Sequence, residues 1–108
     1  NEFKKSERLF LLVIEEDNRV VSTIQLAIIP SLTHNIRSFA VVENVVTHEA
    51  YRKKGFASKL LQEAIKIAQS KNSYKIFLET GSNRESTLNF YKENGFEIDT
   101  KHSFLRKL

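Results

Sequence analysis

The segment Arg52-Lys53-Lys54-Gly55-Phe56-Ala57 places three cationic side chains directly before a glycine and a small residue. It lies between an apolar run and a segment with strong helical periodicity, so it is predicted to form the N-terminus of a helix. A helix N-terminus presents unpaired backbone N–H groups and a partial positive charge. Gly55 lets the backbone approach a ligand, and Ala57 keeps the next turn open. The segment therefore predicts a site for a phosphate or pyrophosphate group.

A solvated basic loop in front of an ordinary helix is the alternative interpretation, because short motifs often match by chance. The segment lacks the Gly-x-x-x-x-Gly-Lys-Ser/Thr pattern of nucleoside triphosphatases. It also lacks the Gly-x-Gly-x-x-Gly pattern of dinucleotide-binding proteins. Both classes are therefore disfavoured.

Other kinds of catalytic chemistry have little support in the sequence. The chain contains no cysteine, which excludes disulfide scaffolds, thiol nucleophiles and iron–sulfur ligation. His34, His48 and His102 are scattered without a second ligand at metal spacing, so no metal site is predicted. There is no Gly-x-Ser-x-Gly nucleophile elbow.

Length and composition are those of one globular domain. The chain has 108 residues, 41% hydrophobic and 28% charged, and a net charge of +4. We expect a single domain over residues 1–108 with one core. The apolar runs are too short for a membrane span, and no signal-peptide pattern is visible, so a cytoplasmic protein is expected.

Three apolar segments before the basic loop are predicted to be β-strands. Phe10–Ile14 and Val20–Ile29 are rich in strand-forming residues and flank the turn residues Glu15–Asn18, which indicates a hairpin. Phe39–Thr47 is apolar almost throughout, so it is predicted to be a central strand buried on both faces.

A βαβ unit is predicted after the loop. Apolar residues recur with helical spacing from Ala57 to Ala68, and Tyr74–Glu79 follows as a strand. Since a helix separates this strand from Phe39–Thr47, the two strands should be parallel, with a right-handed crossover.

The C-terminal third is predicted to contain one more helix and a closing hairpin. The helix should cover Glu85–Glu93, with Gly95 at its C′ position. Phe96–Ile98 and Ser103–Leu108 are interpreted as the hairpin. The predicted element order is β-β-β-α-β-α-β-β.

This order of motifs resembles the GNAT superfamily of N-acetyltransferases. Arg-x-x-Gly-x-Ala at 52–57 is similar to the family's acetyl-coenzyme A signature, Arg/Gln-x-x-Gly-x-Gly/Ala. Asn83 followed by Phe90-Tyr91-Lys92-Glu93-Asn94-Gly95-Phe96 is similar to its C-terminal motif, an Asn followed by Tyr-x-x-x-Gly-Phe. The resemblance covers Phe10 to Leu108. It implies an α/β fold with a mixed, mostly antiparallel sheet and a central parallel βαβ pair.

The resemblance implies acetyl-coenzyme A as co-substrate, with no metal. In the family, backbone amides of the signature hold the pyrophosphate, and the pantetheine arm lies between two splayed parallel strands. Asn83 would contact the coenzyme arm, cap the following helix, or both. The cofactor-binding residues implied are Val45, Val46, Thr47, Arg52, Lys53, Lys54, Gly55, Phe56, Ala57, Ser58 and Asn83.

The resemblance also implies acetyl transfer to a primary amine by direct attack on the thioester. Glu43 is the candidate base that deprotonates the amine, and Tyr91 the candidate donor of a proton to the departing thiolate. A backbone N–H near Val45 or Val46 would stabilise the oxyanion. The structural alternatives are a solvent-facing or hydrogen-bond-accepting Glu43 and a Tyr91 that packs in the core.

The acceptor is a small-molecule amine whose identity stays open. Glu43-Asn44-Val45-Val46, Tyr74-Lys75-Ile76 and Phe90-Tyr91 are faintly similar to glucosamine-6-phosphate N-acetyltransferases, so an amino sugar is one candidate. Family members usually begin with a strand and one or two helices that help to form the acceptor pocket. Only Asn1–Glu7 precede the hairpin here, so we expect upstream residues or a second copy, in a homodimer, to supply that wall.

The rival hypothesis is a non-catalytic module with the GNAT fold that binds acyl-coenzyme A or another anion. Its support is the basic charge and the missing acceptor wall. RNA is disfavoured as the anion, because recognition of single strands uses exposed aromatic side chains and the aromatics here stand in apolar contexts. Neither a nucleic-acid nor a membrane partner is predicted.

Overall fold

Four β-strands form one mixed sheet in the computed structural model, which describes residues 8–31, 37–99 and 101–108. The spatial order of the strands is β1-β2-β3-β4. Within these described residues, two helices and a short 3₁₀ helix at Glu49–Tyr51 accompany the sheet. The bounds are β1 Leu9–Glu16, β2 Arg19–Ile29, β3 Ser38–Thr47, α1 Phe56–Ser70, β4 Ser73–Leu78 and α2 Glu85–Glu93.

The sheet begins with the predicted hairpin. β1 and β2 are antiparallel and are joined at Asp17 and Asn18, whose φ angles of 52° and 60° lie in the left-handed region. Positive φ at both central residues is typical of the type I′ turn, whose twist suits a two-residue hairpin. β2 and β3 are also antiparallel, whereas β3 and β4 are parallel and are connected through α1. The βαβ unit is therefore confirmed.

The core lies between one face of the sheet and α1. Leu60, Leu61, Ala64 and Ala68 form the buried stripe of the helix. They pack with buried side chains of β2 and β3, of which Ile24, Leu26 and Ile28 are the largest. Each such side chain contributes about 1.5–3 kcal/mol through the apolar area removed from water. The helical spacing of apolar residues is therefore what attaches α1 to the sheet.

The prediction that the third strand is buried on both faces is wrong. Ala40 and Val42 face α1 and are buried, but Val41 is only half-buried and Val46 is 56% exposed. The reason is that no described element covers the second face of the sheet, so apolar residues on that face stay accessible. The β-branched run indicated a strand correctly but could not show how many layers cover it.

The predicted C-terminal hairpin is not formed by the described residues 96–99 and 101–108. The parallel pair therefore lies at one edge of the four-stranded sheet and not at its centre. In Ser103–Leu108, Arg106 would stand between Phe104 and Leu108 on one face, and Leu105 between Ser103 and Lys107 on the other, so neither face is apolar throughout. Phe96–Ile98 is also very short for a strand, and an isolated two-stranded hairpin is only marginally stable.

No helix within the described ranges is long and apolar enough to cross a membrane.

Candidate functional site

The parallel pairing of β3 with β4 stops halfway along β3. The last matched pair is Val42 with Leu78, and the described strands supply no partner to Glu43–Thr47 on that side. Backbone N–H and C=O groups need hydrogen-bond partners, and an open edge can accept an added strand or an extended ligand. The second half of β3 therefore offers such an edge.

A β-bulge at Asn44 sets the direction of the side chains in this half of β3. Glu43 pairs with Gln25 and Val46 with Thr23, so Asn44 and Val45 together oppose one residue of β2. Asn44 has a φ of 53°, which asparagine tolerates better than most residues. The extra residue turns Val45 towards the core and leaves Val46 exposed. The amide of Asn44 also donates a hydrogen bond of 2.5 Å to Gln25 Oε1.

The end of β3 is fixed from the β2 side. Ser22 is buried, and its Oγ donates to the carbonyl oxygen of Val46 at 3.2 Å and lies 2.9 Å from Thr47 Oγ1. The N–H of His48 donates to the carbonyl oxygen of Val21 at 2.7 Å. These contacts hold the strand in place while its opposite edge stays open.

A cleft of about 390 Å³ lies where β3 leads into α1. It collects most of the predicted coenzyme-binding residues. Two aromatic residues that the sequence analysis did not assign to the site, Tyr51 and Phe90, also line it. The lining residues are Thr47, Tyr51, Arg52, Lys53, Gly55, Phe56, Ala57, Ser58 and Phe90.

The backbone at this cleft is rich in available donors. The first hydrogen bond of α1 runs from the N–H of Lys59 to the carbonyl oxygen of Gly55 at 3.0 Å. The N–H groups from Lys53 to Ser58 have no acceptor among the residues described. Gly55 has a φ of 77°, and a Cβ built on it would meet nothing within 4 Å. Its role is therefore to supply the left-handed conformation in front of open space.

Two of the predicted cations are engaged by the protein itself. Arg52 Nε donates to the carbonyl oxygen of Thr47 at 3.2 Å and ties the loop to the end of β3. Lys54 Nζ lies 5.1 Å from the centre of the Tyr51 ring, within cation–π distance, and is not among the lining residues. The geometry therefore brings Lys53 to the cleft and directs Lys54 to its aromatic neighbour.

Tyr91 is part of the structure that ends α2. The N–H of Gly95 donates to the carbonyl oxygen of Lys92, and that of Phe96 to the carbonyl oxygen of Tyr91, both at 3.0 Å. With a φ of 92° at Gly95, this is a Schellman motif. The rings of Tyr91 and Phe96 supply its apolar contact, with centroids 6.2 Å apart. The Tyr-x-x-x-Gly-Phe pattern thus has a structural explanation of its own.

The environment of Tyr91 favours its protonated form. Its side chain is half-buried and packs against the core cluster, and burial raises the pKa of the phenol above its ordinary value. Phe90 also packs against that cluster but lines the cleft as well. The aromatic pair thus connects the end of α2 to the cleft.

The alternative role of Asn83 as a helix cap is wrong. The residue at the N-cap of α2 is Arg84, so Asn83 lies one residue too early to reach the first free N–H groups. The side chain of Arg84 makes no capping hydrogen bond. Ser82 Oγ accepts from the N–H of Arg84 and lies near Thr87 Oγ1, both at 3.2 Å. Asn83 itself is exposed.

Glu43 lines a different cavity from the coenzyme cleft. This shallow cavity of about 300 Å³ is formed mainly by apolar side chains of β1, β2 and β3, with Gln25 as the second polar residue. Tyr91 packs on the α1 side of the sheet, whereas Glu43 lies on the other side. The described residues therefore do not bring the two candidate catalytic side chains into one cavity.

Comparisons with known proteins agree with this geometry. Residues 1–96 match the family model described as the acetyltransferase (GNAT) family. The chain is 33% identical over 78 residues to a glucosamine 6-phosphate N-acetyltransferase of Trypanosoma brucei brucei. The aligned residues cover 72% of this chain and 51% of that protein. The chain thus spans about half the length of this curated relative.

Solved structures show the same fold. A putative acetyltransferase from Agrobacterium tumefaciens str. C58 superimposes with a TM-score of 0.88 at 33% identity, covering 98% of this chain and 74% of that one. Glucosamine-6-phosphate N-acetyltransferase from Arabidopsis thaliana superimposes with a TM-score of 0.86 at 19% identity, covering 97% of this chain and 71% of that one. The second likeness concerns the fold alone. The resemblance inferred from the motifs is confirmed, and the chain belongs to the acetyltransferase (GNAT) family.

Proposed function

We propose that this protein transfers the acetyl group of acetyl-coenzyme A to a primary amine of a small molecule. The proposal depends on one observation above all. The open edge of β3 from Glu43 to Thr47 leads directly into the unpartnered N–H groups of Lys53–Ser58. An extended ligand with amides at one end and a pyrophosphate at the other is complementary to this backbone path.

Each part of the coenzyme would meet a different part of the path. The pantetheine amides would pair with the backbone of Val45, Val46 and Thr47, as an added strand would. The pyrophosphate would accept hydrogen bonds at the start of α1, where the helix dipole favours negative charge. Lys53, and Lys54 if it leaves the Tyr51 ring, would add positive charge. Asn83 is retained as a candidate contact to the coenzyme arm.

The proposed reaction needs two proton transfers. The amine nitrogen attacks the thioester carbonyl and gives a proton to Glu43, and a backbone N–H of Val45 or Val46 stabilises the oxyanion. The C–S bond then breaks, and the thiolate takes a proton from Tyr91. Because burial raises the pKa of Tyr91, that side chain carries its proton at neutral pH.

The proposed acceptor site lies on the Glu43 side of the sheet. The cavity there combines an apolar surface with one carboxylate and one amide, a combination that suits an ammonium group attached to a less polar body. The curated relative named for glucosamine 6-phosphate supports an amino sugar as one acceptor to test first. An amino acid, a polyamine, an antibiotic and a peptide amine complete the panel.

Two measurements on the same sample test the proposal. Calorimetry should show that acetyl-coenzyme A binds, and release of free thiol should accelerate with at least one amine of the panel. Binding without thiol release for any amine would favour the rival hypothesis of a non-catalytic module. Absence of binding would reject the proposed function and would leave, of the rival hypothesis, only a module that binds another anion.

A further inference from the structure

Tyr51 joins the loop of the coenzyme cleft to the far end of the β1–β2 hairpin. Its hydroxyl donates to Asp17 Oδ2 at 2.7 Å, across 34 positions of sequence. This hydrogen bond is the main reason why the pKa of Tyr51 is raised, with desolvation by burial and the negative charge of Asp17 adding to it. Tyr51 is also the last residue of the 3₁₀ helix and directly precedes Arg52 at the cleft.

Both ends of this hydrogen bond are held by their surroundings. Asp17 belongs to the two-residue turn with positive φ at both positions, which leaves its backbone little freedom. On the other side, His48 caps the 3₁₀ helix by accepting from the N–H of Ala50 at 3.2 Å. The rings of His48 and Tyr51 meet edge to face with centroids 5.8 Å apart. The hydroxyl and the carboxylate are therefore presented to each other by two ordered elements.

The loop beyond Tyr51 has a conformation that needs such support. Lys53 has a φ of 66° and Gly55 a φ of 77°, so two left-handed residues lie within three positions. The left-handed conformation is unfavourable for lysine, because its Cβ lies too close to the following carbonyl oxygen. The N–H groups that follow bond to no described residue, so in the absence of a ligand they do not hold the loop in this shape.

We propose that the Tyr51–Asp17 hydrogen bond positions the donor-rich loop of Lys53–Ser58 before the coenzyme binds. This inference rests on the proposed function, since it assigns to the hairpin turn a role in coenzyme affinity. Tyr51 and Asp17 act as positioning residues and do not take part in acetyl transfer. Preorganisation raises affinity because a loop already held in its bound shape loses less freedom on binding.

Substitutions of the two partners give a direct test by calorimetry with coenzyme A. Tyr51→Phe keeps the ring contacts with Lys54 and His48 but removes the donor, and Asp17→Ala removes the acceptor. Each should raise the Kd for coenzyme A by about three- to tenfold, the range expected for one hydrogen bond. The double variant should bind no more weakly than either single variant, because both remove the same interaction.

Conservative changes and kinetics separate positioning from general damage. Asp17→Asn keeps an oxygen acceptor for the Tyr51 hydroxyl and should stay within about twofold of the natural chain. The KM for acetyl-coenzyme A should rise in Tyr51→Phe while kcat at saturation is retained. Tyr74→Phe, the same change outside the cleft, controls for losing a tyrosine hydroxyl. An increase in Kd for Tyr51→Phe that Asp17→Ala does not reproduce would overturn the inference and place the hydroxyl on the ligand.

Amide hydrogen exchange in the ligand-free protein decides the same question without the coenzyme. The N–H groups of Tyr51, Arg52 and Lys59 border the loop and are hydrogen-bonded to carbonyl oxygens. Their exchange should be faster in Tyr51→Phe and Asp17→Ala than in the natural chain and in Tyr74→Phe. If the natural chain fails to bind coenzyme A, the proposed function is rejected, and the exchange rates still test the hydrogen bond as a loop support. Unchanged exchange in both variants would reject the inference whatever the coenzyme does.

Discussion

Gly55, at the N-cap of α1, has a left-handed conformation and faces open space. Its backbone conformation and the space in front of it can therefore be tested separately. Gly55→Val should raise the Kd for acetyl-coenzyme A at least about tenfold, because a β-branched residue at positive φ distorts the loop and fills the approach to it. Asparagine tolerates the left-handed conformation, so Gly55→Asn tests only the effect of a side chain in the open space in front of the loop. Calorimetry measures both.

Gly95→Ala is the matched control for backbone strain, since Gly95 also has positive φ but lies at the end of α2. It should lower the free energy of unfolding by about 1 kcal/mol and leave coenzyme affinity close to that of the natural chain. If Gly55→Val binds acetyl-coenzyme A as tightly as the natural chain does, the pyrophosphate site lies elsewhere.

Lys54→Ala should weaken the binding of acetyl-coenzyme A only mildly, and the loss should be smaller at high salt.

Tyr91 has both a structural and a proposed chemical role, and Tyr91→Phe separates them. The change keeps the ring contact with Phe96 and the Schellman motif, so folding and coenzyme affinity should be retained. Loss of proton donation should lower kcat by up to about 10²–10⁴-fold. Thiol release with a good amine measures the effect, and an unchanged kcat would leave Tyr91 with packing as its role.

The raised pKa of Tyr91 makes a further prediction about alkaline pH. Since the folded state holds the phenolic proton more tightly than the unfolded state, its contribution to stability is fully present below the ordinary pKa of tyrosine. That contribution is lost as the pH rises through the higher folded-state value. Ultraviolet titration of tyrosinate should show two late-titrating groups, of which one disappears in Tyr91→Phe while the other, Tyr51, remains. A natural chain whose tyrosines all titrate at the ordinary pKa would contradict this.

Glu43 is tested through the pH dependence of the rate. If it accepts the proton of the amine, Glu43→Gln should depress the rate most at low pH, where the free amine is scarce. Glu63→Gln, the same change at an exposed residue of α1 outside the cavity, serves as the comparison. A pH–rate profile that Glu43→Gln leaves unaltered would remove this residue from the mechanism.

Among the elements, β3 decides the geometry of the site through its bulge at Asn44. Asn44→Val places a β-branched residue where φ is 53°, and should lower the free energy of unfolding by about 1–3 kcal/mol. It should also weaken coenzyme binding, because a ladder without the bulge would turn Val45 out of the core and shift the open edge. Denaturant unfolding and calorimetry measure the two effects.

Asn44→Gly is the control for the bulge, since glycine accepts the same φ without a side chain to donate to Gln25. It should bind the coenzyme about as well as the natural chain. If Asn44→Val keeps both stability and affinity, the bulge is not what fixes the edge of β3.

The elements differ in how far the sequence could predict them. α1 and α2 were predicted closely because the apolar period and the glycine at the end of α2 are local signals. The bulge was not predicted, because it depends on which β2 residues pair with β3. Tyr51 was missed for the same reason: its hydroxyl acts through Asp17, 34 positions away. Short apolar segments near the C-terminus predicted strands that the described residues do not form.

The whole molecule leaves one face of its sheet uncovered by described elements. The residues of this face include Leu9, Leu11, Val13, Ile29 and Phe77, each classed among the exposed large apolar side chains. Contiguous exposed apolar areas beyond a few hundred Å² are uncommon on monomers and usually mark an interface. The face also carries the cavity of Glu43, so a molecule that covers it would close the acceptor side.

We therefore predict that the 108-residue chain forms a homodimer through this face, which multi-angle light scattering can test. Leu11→Glu places a charge in the middle of the face and should shift the mass towards the monomer, because burying an unpaired carboxylate is costly. Leu108→Glu, at a more exposed leucine outside the sheet, should leave the dimer intact. If the second variant alone breaks the dimer, the C-terminal segment forms the contact. A natural chain that is monomeric and fully active would show that the acceptor side works without a partner.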